Sequence, residues 1–328
     1  MKVLVTGGAG YIGSHASREL LEAGHEVSIL DDLSTGHREA LPAAARFVLG
    51  DIGDASALRQ GLDGAGAVMH FAALAYVGDS MRDPASYYRT NLGKGLALLW
   101  AALDAGVERF VFSSTCATYG EPVRLPMDES HPQQPINPYG ATKLAFERAL
   151  QDHALASPLR VIALRYFNAA GAHPDGSLGE HHDPEPHLIP LAIDAALGRR
   201  PGLTIFGDDY DTPDGTCVRD YVHVVDLARA HVQALAALGS GPRFRAFNLG
   251  TERGSSVREV VEAVARVSGR GVPVSIGPRR AGDPPRLVAS SARAQAELGF
   301  RPRYSLEDSV ESAFRWRLAH PQGYRRAA

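Results

Sequence analysis

The chain opens on a short apolar run, Val3-Leu4-Val5, that stops at Thr6-Gly7-Gly8-Ala9-Gly10-Tyr11-Ile12-Gly13. Beyond this turn Ala16, Leu20, Leu21 and Ala23 recur at helical spacing until Gly24 closes the helix. A second apolar run over 26–30 ends in Asp31-Asp32, and further β-like runs lie at 46–49, 67–71, 110–113 and 161–165, with helical stretches between them. Strands alternating with helices need crossover connections. The pattern therefore predicts an α/β fold, a doubly wound parallel sheet covered on both faces, over residues 1–169.

From residue 170 the texture changes. Residues 171–190 are rich in Gly, Pro, His and acids, and the apolar stretches after them are shorter. A smaller mixed α/β lobe over 170–328 is expected, with helices over 222–238 and 257–267 and a short strand over 247–249. Pieces within 220–250 are expected to return to the first domain. No internal repeat or low-complexity linker separates the two halves, so they are expected to share an interface.

Composition removes several classes of function. The 328 residues are 45% hydrophobic and 22% charged, which is ordinary for a globular protein and unlike a disordered or fibrous one. A net charge of −3 with scattered Lys and Arg gives no basic field, so neither nucleic acid nor membrane is an expected partner. Two cysteines, Cys116 and Cys217, make a disulfide framework unexpected and point to a reducing cytoplasm. No signal peptide is expected, and no run reaches membrane-spanning length.

Gly7, Gly10 and Gly13 fall every third residue between a strand and a helix. That spacing permits a tight turn, close approach of a pyrophosphate to the backbone and close helix packing. Asp31 ends the second strand, where a carboxylate accepts both ribose hydroxyls and repels a 2′-phosphate; NAD is favoured over NADP. Asp51-Ile52 could hold an adenine edge or serve equally as cap and turn residues. Phe71-Ala72-Ala73 would let the backbone approach the cofactor closely, although plain packing explains these residues almost as well.

Tyr139 and Lys143 are four residues apart, which puts both on one face of a helix whose start is marked by Asn137 and Pro138. Bringing a phenol to neutrality takes about three pKa units, or roughly 4 kcal/mol, from nearby positive charge. Lys143 and an oxidised nicotinamide ring are the expected sources.

With the glycine turn, Ser113-Ser114-Thr115 and Tyr139-Gly140-Ala141-Thr142-Lys143 in this order, the chain resembles the extended short-chain dehydrogenase/reductase family nearly end to end. Arg165-Tyr166-Phe167-Asn168, Asp214-Gly215-Thr216-Cys217-Val218-Arg219-Asp220-Tyr221, Arg279-Arg280-Ala281-Gly282-Asp283 and His320-Pro321-Gln322-Gly323-Tyr324 narrow the resemblance to the UDP-glucose 4-epimerases within it. The resemblance implies Tyr139 as the base, Lys143 positioning the nicotinamide ribose and lowering the phenol's pKa, and Thr115 bridging Tyr139 and the substrate O4. It implies tightly bound, recycled NAD held by Gly7, Gly10, Tyr11, Ile12, Gly13, Asp31, Asp51, Ile52, Phe71, Ala72, Ala73, Asn91, Ser113, Tyr139, Lys143 and Tyr166. For the UDP-sugar it implies Asn168 near the diphosphate, Arg219 and Arg280 on phosphate oxygens, Asp283 on a ribose hydroxyl and His187 against the substrate. Phe206 would lie on the uracil, although an aromatic in an apolar run serves equally as core. The activity implied is interconversion of UDP-glucose and UDP-galactose by reversible C4 oxidation, rotation of the 4-keto sugar and hydride return, in a homodimer.

Ala75 stands where many hexose epimerases carry lysine, and the surrounding sequence is also similar to plant-type UDP-arabinose 4-epimerases. UDP-xylose/UDP-arabinose is therefore the alternative substrate pair. Leu287 occupies the family position at which small residues admit N-acetylhexosamines, so a narrow pocket is expected. Cys116 and Ala117 stand where related dehydratases carry an acid/base pair, so elimination is disfavoured. Cys116 reads as packing. A non-catalytic NAD-binding regulator is the alternative of a different class, opposed by the intact Thr115, Tyr139 and Lys143. His181, His182, Asp183, Glu185 and His187 suggest a metal by type, but prolines and irregular spacing favour a solvated loop, and no metal is expected.

Overall fold

The computed structural model describes residues 1–280 and 282–324. The first six strands, β1 (Lys2–Thr6), β2 (Glu26–Asp31), β3 (Arg46–Leu49), β4 (Ala67–His70), β5 (Arg109–Thr115) and β6 (Arg160–Tyr166), are joined by helical crossovers. The second half adds β7 (Asn168–Ala170), β8 (Leu203–Phe206), β9 (Val218–His223), β10 (Phe244–Leu249), β11 (Gly254–Ser256), β12 (Val274–Gly277) and β13 (Arg286–Leu287). The main sheet runs β3-β2-β1-β4-β5-β6-β10, and its adjacent strands are parallel. Its order reverses at β1, where Thr6 pairs with Leu30 on one side and His70 on the other. In such sheets the ligand crevice opens at the carboxyl ends of the strands beside this reversal.

Alternating side chains explain why both faces are covered. Val3, Val5, Ile29, Met69 and Leu164 pack on one face, with Leu20 from the helix Tyr11–Glu22 and Leu227 from the helix Val224–Ala237. Leu4, Leu30, Val68, Phe110 and Phe112 pack on the other, with Leu58, Leu98 and Phe146 from the helices Ala55–Leu62, Gly95–Asp104 and Pro138–Ala156. Neither face can be left in water without exposing a continuous apolar surface.

In the second lobe β9 is flanked by β7, β11 and β13, while β8 pairs with β12. The helices Leu188–Ala196, Val257–Ser268 and Leu306–Ala319 share an apolar core through Ile193, Val260 and Val310.

Two features differ from expectation. The helix expected over 222–238 starts at Val224, because Val222 and His223 end strand β9. Val218, Asp220 and Val222 alternate inward there, and the buried Asp220 breaks the apolar pattern by which the strand would have been recognised. Its carboxylate is satisfied by the Thr251 amide and hydroxyl, at 2.8 and 2.6 Å, and by the Glu252 and Ala289 amides. The return to the main sheet also extends past 220–250, since Ala294, Leu298 and Phe300 join its first face. Ala294 lies in the helix Ala292–Glu297, which is too short to show a helical period, and Leu298 and Phe300 follow it. Among the described residues no helix is long and apolar enough to cross a membrane.

Candidate active site

The glycine turn lies at the carboxyl end of β1 and opens the helix Tyr11–Glu22. A Cβ on Gly13 would stand 2.1 Å from the Gly7 carbonyl oxygen, so the turn closes only without a side chain there. The first-turn amides of this helix have no acceptor within it, and together with the positive helix end they suit a pyrophosphate. Asp31 is buried, 8% exposed; its two oxygens accept the Ala9 and Leu33 amides at 2.9 and 2.8 Å, leaving lone pairs for ribose hydroxyls. Burial raises its pKa and the two amides oppose that rise. The fit to a dinucleotide therefore rests on free amides, a close-packed turn and a fixed carboxylate.

Other expected cofactor residues serve the protein as well. Asp51 is ion-paired with Lys94 and accepts the Gly53 amide at 2.6 Å, and Ile52 is buried in the core. Ala72 abuts Gly7, where a Cβ would lie 2.5 Å from the Ala72 nitrogen, while the Phe71 ring packs against His231. The Asn91 side chain bonds both the amide and carbonyl of Leu74, at 2.8 and 3.0 Å, and so fixes the segment that follows Ala73. Tyr87, which the sequence did not single out, does the same to Tyr76. Tyr11 donates its hydroxyl to the Gly171 carbonyl at 2.6 Å, joining the cofactor turn to the second lobe.

Asn137 caps the helix Pro138–Ala156 through the Gly140 amide at 2.8 Å, with Pro138 in its first turn. Gly140 lets this helix approach the turn after β5: a Cβ there would lie 2.3 Å from the Ala117 carbonyl oxygen. Tyr139 is thereby brought beside Thr115 at the end of β5. Lys143 is buried and donates to the Ser113 carbonyl at 2.9 Å; the Ser113 hydroxyl meets the Tyr166 hydroxyl at 2.5 Å.

Burial governs the electrostatics of the Tyr139–Lys143 pair. Burial and the neighbouring Tyr166 push the Tyr139 phenol up, and the Thr115 hydrogen bond opposes them. Burial pulls Lys143 down to about 7. Its nitrogen lies 6.0 Å from the Tyr139 ring centre. Among the chain's own groups Thr115 favours the phenolate, and Lys143 is fixed in place by its donation to the Ser113 carbonyl. Cys116 is pushed up to about 12 by burial, which fits packing rather than nucleophilic chemistry.

One turn further on, Glu147 shares the face of Tyr139 and Lys143 and forms a buried ion pair with Arg165 of β6. Ser114 donates to Glu147 at 2.9 Å, Arg165 donates to the Tyr119 hydroxyl at 2.8 Å, and Tyr119 donates to Asn248 of β10 at 2.7 Å. The spacing 139, 143, 147 was the available signal for Glu147.

The expected substrate residues lie on the second-lobe strands and the segments beside them. Asn168 begins β7, and its side chain makes no hydrogen bond to another described residue. Arg219 and Asp283 pair with each other at 2.7 Å, and Arg219 also bonds the Val218 and Pro284 carbonyls. The Arg280 guanidinium lies 4.1 Å from the centre of the half-buried Phe206 ring. One ring face is thus covered by a cation, in addition to the two roles expected for Phe206.

The histidine-rich segment departs furthest from expectation. In place of a solvated loop, Glu180, His182, Glu185 and His187 converge, their ligand atoms lying within 4.8 Å of one another. Burial disfavours charge on His187, but Glu180 and Glu185 outweigh it and raise its pKa to about 10. Sequence spacing concealed the cluster because the chain folds back around Asp183-Pro184 and brings in Glu180.

Residues 3–250 match the NAD dependent epimerase/dehydratase family. The chain is 49% identical to a UDP-glucose 4-epimerase of Lacticaseibacillus casei, over 99% of each chain. Its fold is similar to the UDP-glucose 4-epimerase of Brucella ovis in complex with NAD, with a TM-score of 0.92 and 52% identity, covering 96% of this chain and 98% of that one. It is also similar to the UDP-glucose 4-epimerase of Bifidobacterium longum in complex with NAD+ and UDP, with a TM-score of 0.94 and 37% identity, covering 99% of this chain and 100% of that one.

Removing Glu147 leaves Arg165 buried without its counter-charge. Glu147→Ala should lose about 3–5 kcal/mol of unfolding free energy in urea titration, and a loss within 1 kcal/mol would contradict the clamp.

Proposed function

Because the chain belongs to the NAD dependent epimerase/dehydratase family, we propose that Tyr139, Thr115 and Lys143 act together at C4 of a UDP-sugar. The reaction is the NAD-dependent interconversion of UDP-glucose and UDP-galactose. What supports the assignment of roles is the one-turn spacing of Tyr139 and Lys143, with Lys143 anchored on the Ser113 carbonyl two residues before Thr115, at the carboxyl end of the sheet that carries the glycine turn.

NAD, when bound, supplies a reversible hydride acceptor for C4. Tyr139 takes the O4 proton, with Thr115 bridging the phenol and O4, and returns it when the 4-keto sugar is reduced from its other face. Lys143 spends one N–H on the Ser113 carbonyl and keeps two for the nicotinamide ribose. Asn168 would bond near the diphosphate end, and His187, whose Nδ1 is turned to Glu180 and Glu185, would touch the substrate through its other ring edge. Arg219 retains its Nε–H and one Nη2–H for phosphate, while Arg280, Asp283 and Phe206 would engage the remainder of UDP. A UDP end anchored in this way leaves the sugar free to rotate. Intact catalytic groups and curated epimerase relatives favour an enzyme over a non-catalytic regulator.

We also propose a homodimer in the reducing cytoplasm. Its support is the exposure of Trp100 and Leu155 on the adjoining helices Gly95–Asp104 and Pro138–Ala156, together with the free thiols Cys116 and Cys217. Sedimentation should give twice the 35.0 kDa chain mass; the single-chain mass at micromolar concentration would exclude the dimer.

With no added cofactor, the wild type should convert UDP-glucose, with product resolved by chromatography. Tyr139→Phe should keep its fold and bound NAD but lose about 10²–10⁴-fold in kcat, and a rate within tenfold of wild type would refute the base. Leu287 would narrow the sugar pocket, a reading supported by its register with Arg219 and its packing on Tyr119, Met127, Phe167 and Ala289. In a panel of UDP-glucose, UDP-galactose, UDP-xylose and UDP-N-acetylglucosamine, the last should be poor. Leu287→Ser should raise its kcat/KM relative to UDP-glucose by about 10–200-fold, and an unchanged ratio would remove Leu287 from the pocket.

A further inference from the structure

The segment between β7 and the helix Leu188–Ala196 forms a strap across the cofactor turn. Tyr11 holds its start through the Gly171 carbonyl, and His37 stacks on His181 with ring centres 4.6 Å apart. Beside these anchors Glu180, His182, Glu185 and His187 meet. Around that cluster, His187 Nδ1 lies 2.8 Å from Glu180 Oε1 and 3.1 Å from Glu185 Oε1; His182 Nδ1 lies 3.4 and 3.5 Å from the same two oxygens. Four ligands bound tetrahedrally at about 2.0–2.2 Å stand roughly 3.3–3.6 Å apart; the two His182 spacings match this, the two His187 spacings are shorter, and no pair of the four ligand atoms exceeds 4.8 Å.

Two further observations point to a cation. The Glu180 and Glu185 side chains are only 7% and 9% exposed, and the ion pairs they make among the described residues are with His182 and His187, with no Lys or Arg. Hydrogen bonding also leaves the cluster incomplete: His182 Nδ1 and Glu185 Oε2 are buried without a hydrogen-bond partner.

We propose that Glu180, His182, Glu185 and His187 form a structural site for a zinc ion. Two imidazole nitrogens and two carboxylate oxygens suit zinc better than magnesium or calcium, which favour all-oxygen sets. Four protein ligands fill a tetrahedral shell, so the ion fastens the strap rather than activating water. The strap lies over the helix end assigned to the pyrophosphate, and its closure slows cofactor loss; this consequence, unlike the metal site itself, rests on the NAD reading.

The test uses the full chain without a histidine tag, incubated with zinc chloride and then gel-filtered. Elemental analysis should find about one zinc per chain, and the zinc K-edge spectrum should indicate nitrogen and oxygen neighbours with imidazole scattering and no sulfur. His182→Asn and Glu185→Gln should each weaken zinc binding by about 10–100-fold. Chelation should lower the wild-type thermal midpoint, and zinc chloride should restore it. Zinc below about a tenth per chain in the wild type, sulfur ligation or binding unchanged in both variants would overturn the proposal. If a variant fails to fold, the wild-type stoichiometry and spectrum decide the matter.

Discussion

The arrangement of the groups proposed for catalysis depends on the buried pair between Glu147 and Arg165. Their side chains are only 4% and 6% exposed, and ions withdrawn from water to that extent cost several kcal/mol each unless their bonding is nearly complete. Ser114, Tyr119 and the two-point contact between the ions complete it. The pair ties the helix bearing Tyr139 and Lys143 to β6, and Ser114 ties it to β5, whose last residue is Thr115. A helix free to slide by one turn would move Tyr139 by about 5.4 Å. The same network reaches Asn248 of β10, so the second half of the chain helps fix groups contributed by the first.

The proposed UDP end is organised differently. Arg219 is pre-paired with Asp283 and Arg280 rests on Phe206, so positive charge is partly compensated within the protein. Such contacts hold mobile arginines near one place and reduce the ordering left to ligand binding. They also make recognition an exchange, in which a phosphate must compete with a carboxylate and a uracil with a guanidinium.

The sequence was most readable where function is local. Strand, glycine turn and helix follow one another directly, Asp31 ends the next strand, and Tyr139 and Lys143 lie one helical turn apart. Features assembled from distant positions were harder to read. Strand β9 was hidden because Asp220 is polar in sequence and apolar-like in placement, its charge met by amides 31 to 69 residues away. Arg219 with Asp283 and Arg280 with Phe206 are contacts of tertiary structure, with no periodic signal. The histidine-rich strap was misread for another reason: Gly, Pro and charge marked an irregular segment, which is correct for its backbone and for the exposed Asp183, Pro184 and Pro186, but not for the Glu180 and Glu185 side chains, which turn inward. Helical spacing gave the proximity of Lys143 and Tyr139 but not the burial of both groups, which only the packed structure shows.

Strand β10 has a consequence for how the protein is made. It pairs along β6 from Val161 to Tyr166, yet it is encoded about 80 residues later. A ribosome adding about 5–20 residues per second leaves that apolar edge unpaired for several seconds or more. During this interval the nascent first half exposes a row of amides and carbonyls beside Val161, Ile162, Ala163 and Leu164, the template on which chains pair wrongly with one another. Newly synthesised protein is therefore most vulnerable to aggregation while its coenzyme half is nearly complete, and the passage ends only when a segment from the other half closes the edge.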